Sequence, residues 1–478
     1  MTTDTEQQLA IYDNIATGAG HTLVVARAGT GKTTTIERSL AHVPSDLRCL
    51  FVAFNKSVAD ELRRRISLPN VTIGTCHSFG LSAITSSCGM VEVDQDRALK
   101  VINRLTNNRS ERFAVLKAVG LAKGLLIETV DEVVDACDEF GIEMGDWPER
   151  FAGLVVETMR RTADLDGTVD YNDMIWLPVR HPDIEVPKFD RVFVDEVQDL
   201  NASQVRLVQM ALKPGGRICA IGDDRQAIYR FRGADKNAIN GFRAALKATE
   251  LPLTTSFRCA RAIIKEAQRF VPDIQARPDA PEGSVTSDTY GNLLEKVEYG
   301  DFVLSRTNAP LLRTALQLLK TDCRVSVLGR EFGTGLVSLV YKLRPATPQH
   351  LVINARAWLS KEEQRLMKKD PPDESGAELA RDKFECIEAL AATTSTIEHF
   401  VAKLKHLFEP AGAGASVTLS TTHKAKGLER DKVWVLADTY LRPRKGIISQ
   451  EEKNLYYVAV TRAKNSLVLV HGLPGAKS

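Results

Sequence analysis

The 478-residue chain lacks the features that mark secreted, membrane-spanning and metal-cluster proteins. Its eight cysteines and nine histidines are scattered without a CxxC pair, which argues against a disulfide framework or a zinc cluster and favours reduced thiols. No run approaches the roughly 18 apolar residues of a membrane-spanning helix, and the polar, acidic residues 1–6 precede no apolar segment. The composition therefore predicts a cytoplasmic protein that does not enter a membrane.

The chain also lacks a charge excess of either sign. Its 63 Lys and Arg residues nearly balance 61 Asp and Glu residues, and the formal net charge is +2. No global basic field exists, so a polyanionic partner such as a nucleic acid would have to meet a local groove. The length predicts two to four domains, each with an ample core.

A glycine-containing loop is the first feature that carries chemistry. The sequence ARAGTGKT at residues 26–33 follows a predicted buried strand at 22–25 and precedes a helix predicted from Thr34. Strand, loop and helix in this order let the loop N–H groups and the helix N-terminus bind phosphate, although Ala26 replaces the usual first glycine. The predicted phosphate-binding residues are Ala28, Gly29, Thr30, Gly31, Lys32, Thr33 and Thr34. Lys32 would reach the β- and γ-phosphates, and Thr33 would ligate Mg²⁺.

An acidic pair far downstream supplies the second half of a hydrolytic site. Three apolar residues at 192–194 end a predicted buried strand, and Asp195 and Glu196 follow directly. Asp195 can hold Mg²⁺ through water, Glu196 can orient an attacking water, and Gln198 can relay the presence of a γ-phosphate. Together with the loop at Lys32, these residues predict an ATP- and Mg²⁺-dependent nucleotide hydrolase.

The arrangement of predicted elements indicates an α/β protein with two parallel-sheet domains, each interrupted by a helical insert. We predict a first domain at residues 1–91 and 166–250 with its insert at 92–165. The second domain is predicted at residues 251–334 and 413–478, with a smaller insert at 335–412 that ends in the glycine- and alanine-rich residues 411–415.

Taken in chain order, about eight motifs resemble those of the UvrD/Rep-like branch of superfamily 1 DNA helicases. Besides the two motifs above, they are TEQQ at 5–8, FNK at 54–56, TCHSF at 75–79, IGDDRQAIYRFRGA at 221–234, TSFR at 255–258, THKAKGLE at 422–429 and YVAVTRA at 457–463. The FNK form is similar to that of the F-box DNA helicases and phage relatives. The resemblance implies two RecA-like P-loop domains with ATP between them, and 3′-to-5′ movement on single-stranded DNA.

The resemblance also implies roles for residues outside the phosphate loop. Gln8 would read adenine, being favoured over Gln7 because Thr5 lies three residues before it. Gln226 would sense the γ-phosphate, and Arg258 and Arg462 would complete the charge clamp, a task suited to bidentate guanidinium groups. The remaining nucleotide contacts implied are Phe257, stacked on adenine, Gly427, close to phosphate, and Glu429, on the sugar.

The DNA-binding residues implied by the same motifs are Phe54, Asn55, Thr75, His77, Tyr229, Phe231, Arg232 and His423. Tyr229 and Phe231 would support bases irrespective of sequence, since stacking of this kind contributes roughly 1–3 kcal/mol per base. Phe231 stands where the family often has Trp, so this platform is smaller.

We therefore predict an ATP-dependent DNA helicase that acts on single strands and on junctions with duplex, in the cytoplasm of a bacterial or phage-infected cell, in repair or replication. Three alternatives stay open: a translocase or single-strand-dependent ATPase serving a separate nuclease, repair or defence partner; an ATP-switched binding module; and an RNA substrate, because nothing in these motifs reads a 2′-hydroxyl.

Overall fold

The computed structural model describes residues 4–228, 243, 247–321, 323–368, 373–409, 416–443 and 447–474, without the side chains of residues 109, 110 and 375. The chain divides into two compact units, Met1–Thr254 and Thr255–Ser478. We call them unit 1 and unit 2 and describe each by itself.

Unit 1 is built on a parallel sheet. Its strands in the described residues are β1 (Thr22–Ala26), β2 (Cys49–Val52), β3 (Val71–Gly74), β4 (Glu92–Val93), β5 (Thr168–Val169), β6 (Phe189–Val194), β7 (Leu212–Gly222) and β8 (Thr249–Leu253). Six of these described strands form one sheet in the order β3-β2-β6-β7-β1-β8, and every pairing is parallel. Helices cover both faces, so the carboxyl-terminal halves of the central strands β6 and β7 are buried and apolar, as in other buried parallel sheets.

The described helices of unit 1 connect these strands and form an insert. They are α1 (Glu6–Thr17), α2 (Lys32–Ser39), α3 (Lys56–Arg65), α4 (Cys76–Cys88), α5 (Arg97–Leu105), α6 (Arg109–Leu125), α7 (Val130–Glu139), α8 (Pro148–Thr162), α9 (Asp173–Arg180) and α10 (Ala202–Met210). Helix α2 begins two residues before the predicted Thr34, so Lys32 and Thr33 lie in its first turn. Helices α5–α8 form the insert. Their apolar side chains pack in one core together with those of α4 and α9.

A buried ionic cluster joins the insert to the rest of unit 1. Arg97 of α5 and Lys123 of α6 both donate to the carboxylate of Asp173, at 2.7 and 2.5 Å. The side chains of these three residues are 4% exposed or less. Lys123 also lies 5.1 Å from the ring centre of Trp176. The cluster holds its charges in low dielectric, where each depends on its partners.

Unit 2 is a second parallel α/β unit. Its described strands are β9 (Thr255–Ser256), β10 (Gln275–Ala276), β11 (Ser284–Thr289), β12 (Phe302–Ser305), β13 (Val325–Val327), β14 (Val417–Thr421), β15 (Arg430–Leu436) and β16 (Ala463–His471). Six of the strands described here form a parallel sheet in the order β11-β16-β15-β12-β14-β13.

The described helices of unit 2 are α11 (Arg261–Ala267), α12 (Tyr290–Lys296), α13 (Asn308–Leu318), α14 (Arg330–Leu343), α15 (Pro348–Met367), α16 (Glu374–Ala391), α17 (Ile397–Leu407), α18 (Thr422–Ala425) and α19 (Gln450–Val460). Helices α14–α17 lie in the stretch predicted as the second insert. Their apolar side chains belong to the same core as the sheet, in which Leu351 and Phe400 are packed with Val417 and Trp434.

These observations confirm the predicted fold class, a mixed α/β chain with two parallel sheets. The boundary between units differs from the predicted 250/251 and falls after Thr254, because residues 249–253 form β8 and pair with β1. The finer domain ranges stay predictions. Among the described residues, no helix is long and apolar enough to cross a membrane.

Candidate active site

The phosphate loop lies at the carboxyl end of β1 and runs into α2. Gly29 and Gly31 have φ values of 73° and 77°, a left-handed conformation that glycine adopts without strain. The ideal Cβ position at Gly31 meets nothing closer than 4.0 Å. The backbone conformation, rather than crowding, therefore requires glycine there. The turn delivers the backbone of residues 28–33 to the N-terminus of α2, where phosphate binds favourably.

Lys32 is buried among carboxylates of unit 1. Its Nζ lies 3.2 Å from Oε1 of Glu196, and the residue is 9% exposed. Burial opposes its charge, but Glu196, Asp223 and Asp195 outweigh that effect, and the pKa of Lys32 is raised. The ammonium group is therefore charged and available to exchange a carboxylate for a phosphate.

Thr33 and Asp195, the two residues predicted to ligate Mg²⁺, lie in direct contact. The Thr33 hydroxyl donates to Oδ2 of Asp195 at 2.6 Å, although the two residues are 162 positions apart. Burial, with the charge of Glu196 in addition, raises the pKa of Asp195 to about 6. A buried carboxylate beside a hydroxyl fits Mg²⁺, which protein sites usually bind through one or two carboxylates and the phosphates of the substrate.

Glu196 is held in a constrained position next to Asp195. Its φ of 52° places a non-glycine residue in the left-handed region, a conformation that costs of order 1 kcal/mol or more and clusters at functional sites. Its backbone N–H donates to Oδ1 of Asp195 at 2.9 Å. The Gln198 amide donates to Oε2 of Glu196 at 2.6 Å, so Lys32 and Gln198 fix both carboxylate oxygens.

Gln198 and Gln226 meet at Asp223, directly after β7. The N–H of Asp223 donates to Oε1 of Gln198 at 3.1 Å, and Nε2 of Gln226 donates to Oδ2 of Asp223 at 2.8 Å. Asp223 is fully buried and Gln226 is 4% exposed. The predicted phosphate sensor Gln226 is thereby connected to Glu196 through two intervening residues, Gln198 and Asp223.

The side chain of Gln8, predicted to read adenine, takes part in a helix cap. Gln8 is 4% exposed, and its Oε1 accepts from the N–H and hydroxyl of Thr5 while its Nε2 donates to Thr35. These contacts form a capping box at the start of α1, so the Gln8 amide is used within the protein. Gln7 is half-buried and binds Thr254. The T-x-x-Q pattern of residues 5–8 was the signal for a cap.

Unit 2 holds the two predicted arginines close to one carboxylate. Arg258 forms an ion pair with Glu429 and donates to the carbonyl oxygen of Thr461 at 3.3 Å. Lys464 binds the other oxygen of Glu429 at 2.8 Å. Gly427, two residues before Glu429, has a left-handed φ of 86°. Phe257 is half-buried.

Arg462 is 1% exposed and binds backbone carbonyl groups. Its Nε donates to the oxygen of Val458 at 3.0 Å and its Nη1 to that of Leu428 at 3.2 Å. Burial and the nearby charge of Arg258 lower the pKa of Arg462. An anion next to Arg462 would relieve both effects, as expected for a phosphate-binding guanidinium.

The predicted nucleic-acid contacts of unit 1 lie at two helix starts. Asn55 caps α3 by accepting from the N–H of Val58 at 2.9 Å, and the adjacent Phe54 ring is 40% exposed. Thr75 caps α4. These caps fix the exposed backbone and side chains at the ends of β2 and β3.

His77 has an aromatic neighbour that the motifs did not assign to DNA. The ring of Tyr171, 50% exposed, meets the imidazole of His77 edge-on at 6.2 Å. Burial lowers the pKa of His77, so the ring is neutral at pH 7. Of the other predicted contacts, His423 is half-buried in unit 2, whereas Tyr229, Phe231 and Arg232 lie outside the described residues.

Taken together, unit 1 has the fold of a P-loop nucleotide hydrolase and a candidate site of that kind. A phosphate loop, a Thr–Asp pair and a Glu between two polar partners lie at the carboxyl ends of β1 and β6, parallel strands that β7 separates in the sheet. This is the position at which open α/β sheets bind their ligands.

Comparisons with known proteins identify the family. The model of the UvrD/REP helicase N-terminal domain matches residues 4–247, and that of the UvrD-like helicase C-terminal domain matches residues 381–472. The chain belongs to the UvrD-like helicase family, as its motifs predicted.

Curated relatives agree with this membership. The chain is 27% identical to F-box DNA helicase 1 of Gallus gallus over 94% of its own length and 47% of that protein. It is 26% identical to F-box DNA helicase protein 1 of Schizosaccharomyces pombe over 93% of its length and 55% of that protein. ATP-dependent DNA helicase PcrA of Staphylococcus aureus is 24% identical over 64% of this chain and 44% of the relative. The chain thus spans about half the length of the curated relatives it matches.

Proposed function

We propose that this chain is an ATP-dependent DNA helicase that moves 3′ to 5′ along single-stranded DNA and separates duplex strands. The observation that carries the proposal is the meeting of Lys32, Thr33, Asp195 and Glu196 at one edge of the unit 1 sheet. Family membership and the names of the relatives support DNA as the substrate.

The nucleotide chemistry is assigned to groups of both units. Lys32 exchanges Glu196 for the β- and γ-phosphates, which frees that carboxylate to accept a proton from the attacking water. Thr33 and Asp195 would hold Mg²⁺, which would supply positive charge against the developing phosphate charge. Gln226 contacts the γ-phosphate, and Arg258 and Arg462 stabilise its charge in the transition state.

Adenine and sugar are assigned to polar side chains that also bind neighbours within the protein. Gln7 is half-buried and its amide binds only Thr254 among the described residues, whereas Gln8 is 4% exposed, so we propose Gln7 for adenine in place of Gln8. Phe257 stacks on the base and Glu429 accepts from the sugar. Gly427 lets the backbone approach phosphate because its left-handed conformation needs no side chain.

The DNA strand is assigned to Phe54, Asn55, Thr75, His77 and His423, together with Tyr229, Phe231 and Arg232 of the third motif. The exposed ring of Phe54 and the His77–Tyr171 pair offer flat faces to bases. Such faces bind bases of any sequence. We place this activity on DNA in the cytoplasm, with a nuclease or a repair or replication factor as protein partner.

The test is strand displacement on two matched duplexes, one with a 3′ and one with a 5′ single-stranded tail, with ATP and Mg²⁺. We expect unwinding of the 3′-tailed duplex only, and none with Lys32→Ala. Preference for the 5′ tail would contradict the proposed polarity. DNA-stimulated ATP hydrolysis without unwinding of either substrate would support the alternative, a translocase that serves a separate partner.

A further inference from the structure

Arg27 is a buried cation within the phosphate loop to which none of the motifs gives a role. It occupies the second position of ARAGTGKT, and it is 7% exposed. Its Nη1 donates to Oδ1 of Asp224 at 2.7 Å and lies 3.4 Å from Oδ1 of Asp223. The same nitrogen donates to the carbonyl oxygen of Ala26 at 3.1 Å. Burial of a guanidinium group costs free energy unless the group is paired. The contacts with Asp224, Asp223 and Ala26 contribute to this pairing.

The two carboxylates belong to the segment that carries Gln226. Asp223 and Asp224 follow β7, and β7 pairs with β1, which ends at Ala26. Arg27 therefore connects the loop after one strand to the loop after its neighbour. In the sequence, Asp223 and Asp224 lie 196 and 197 positions after Arg27. All three residues belong to unit 1.

Asp223 contacts both Arg27 and the Gln226 amide. One carboxylate oxygen faces Arg27 and the other accepts from Nε2 of Gln226 at 2.8 Å. An ionised carboxylate can only accept, so it binds the NH₂ end of an amide and fixes which way that amide is turned. Burial raises the pKa of Asp223, and the charges of Lys32 and Arg27 oppose that effect. A protonated Asp223 would bind either end of the amide, and the orientation of Gln226 would be lost.

We propose that Arg27 is a positioning residue that acts through Asp223 to hold Gln226 in the orientation that recognises a γ-phosphate. This inference rests on the proposed ATP hydrolysis and deepens it. Arg27 itself touches no phosphate in this scheme. Its loss should therefore affect nucleotides that have a γ-phosphate and leave ADP binding unchanged.

A purely structural role makes a different prediction. If Arg27 only braced the phosphate loop, its loss would disturb the backbone N–H groups and Lys32, which bind the phosphates that ADP also has. Affinity for ADP and for ATP would then fall together. The ratio of the two affinities separates the roles, and it is measured at equilibrium without turnover.

The experiment uses the full chain with Arg27→Ala, Arg27→Lys, Gln226→Ala and the double variant Arg27→Ala/Gln226→Ala. Affinities for ADP and for a non-hydrolysable ATP analogue are measured by fluorescence titration, and kcat and KM by DNA-stimulated ATP hydrolysis. Arg225→Ala is the matched control, because Arg225 pairs with the same Asp224 at 3.2 Å but is one-third exposed and does not contact the loop.

We expect Arg27→Ala to lower kcat roughly 10- to 100-fold, the size typical of groups that orient a directly acting ligand. Affinity for the ATP analogue should fall, and affinity for ADP should stay within about twofold. In the Gln226→Ala background the same substitution should change kcat less than about twofold, because two residues acting as a unit are not additive. Arg225→Ala should resemble the wild type, and Arg27→Lys should lie between.

Parallel loss of ADP and ATP-analogue affinity would overturn the inference, as would multiplicative effects of Arg27→Ala and Gln226→Ala. If Arg27→Ala does not fold, Arg27→Lys carries the same test, because it removes the guanidinium group that faces Asp223 and keeps a long polar side chain. A wild-type chain without ATP hydrolysis would contradict the proposed function instead. The affinity ratio of the variants would then still decide the role of Arg27.

Discussion

The two units place several of their predicted site residues at different ends of their sheets, although His423 of unit 2 follows β14 at its carboxyl end. In unit 1, the phosphate loop, Asp195 and Asp223 directly follow β1, β6 and β7, at the carboxyl ends of the strands. In unit 2, Glu429 and Arg462 directly precede β15 and β16, at the amino ends. The N–H of Arg430 donates to the carbonyl oxygen of Arg462, so these two strand starts are fixed side by side.

The partners of the charged groups also differ. In unit 1, residues of different motifs bind one another, as in Lys32 with Glu196 and Thr33 with Asp195. In unit 2, Arg258 binds Glu429 and Arg462 binds backbone carbonyl groups. In the proposed scheme, Lys32 of unit 1 exchanges Glu196 for phosphate, and both arginines of unit 2 exchange their present partners for it. Because two groups of unit 2 must change partners, we expect the steps that depend on unit 2 to limit turnover.

The largest effect is expected from removing an arginine of unit 2. Arg258→Ala should lower DNA-stimulated ATP hydrolysis by about 10³-fold, because a guanidinium that stabilises transferring phosphate is worth that much or more. ADP affinity, measured by titration, should change little if unit 1 holds the nucleotide. Arg277→Ala is the control, since Arg277 pairs with the exposed Asp279 at 3.5 Å. Equal losses in hydrolysis and in ADP affinity would mean that Arg258 also holds ADP. Such a result would contradict the proposed difference between the two units.

A large effect on stability is expected from the ionic cluster of unit 1. Asp173→Ala leaves Arg97 and Lys123 buried without the carboxylate that both contact. Breaking a buried pair in this way costs about 3 kcal/mol or more. The free energy of unfolding, measured with urea, should fall by that amount. Asp183→Ala, at a carboxylate that is 80% exposed, should change it by less than about 0.5 kcal/mol.

The motifs of the candidate site could be predicted from the sequence, whereas the buried ionic contacts could not. The phosphate loop and the Asp195–Glu196 pair were predicted because each motif is short and each follows an apolar strand. Parallel pairing of neighbouring strands then brings the motifs to one edge. Arg97, Lys123 and Arg27 were not assigned, because their partners lie 50 to 197 positions away and no local pattern marks such a pair.

Gln8 illustrates how one spacing can support two interpretations. Two adjacent glutamines can be ranked only by where α1 begins, and the capping contact of Thr5 decides that. The spacing that favoured Gln8 as an adenine contact is the same spacing that makes it the third residue of a capping box. The same spacing therefore predicts a capping box, which the structure shows, and an adenine contact, which stays a prediction.

The next effect concerns the carboxylate that Lys32 and Gln198 hold. Glu196→Gln should lower ATP hydrolysis by about 100-fold, because an amide cannot accept a proton from water, and general bases contribute 10² to 10⁴. Nucleotide affinity should not fall, since Lys32 loses a competing carboxylate and gains freedom to bind phosphate. A single-turnover measurement separates the chemical step from binding. Wild-type turnover in this variant would exclude Glu196 as the base.

The smallest effect is expected at the carboxylate of unit 2. Glu429→Gln removes a charge that holds both Arg258 and Lys464, and it weakens the proposed contact with the sugar. Because one hydrogen bond to a charged group is worth roughly 1.5 kcal/mol, KM for ATP should rise about tenfold or less while kcat stays within about twofold. Lys464→Ala is the control for loss of the surface pair alone. A fall in kcat with unchanged KM would mean that Glu429 orients Arg258 and does not contact the nucleotide. In that case the cations of unit 2 are arranged before phosphate arrives, and the two units do not differ in the way their structures suggest.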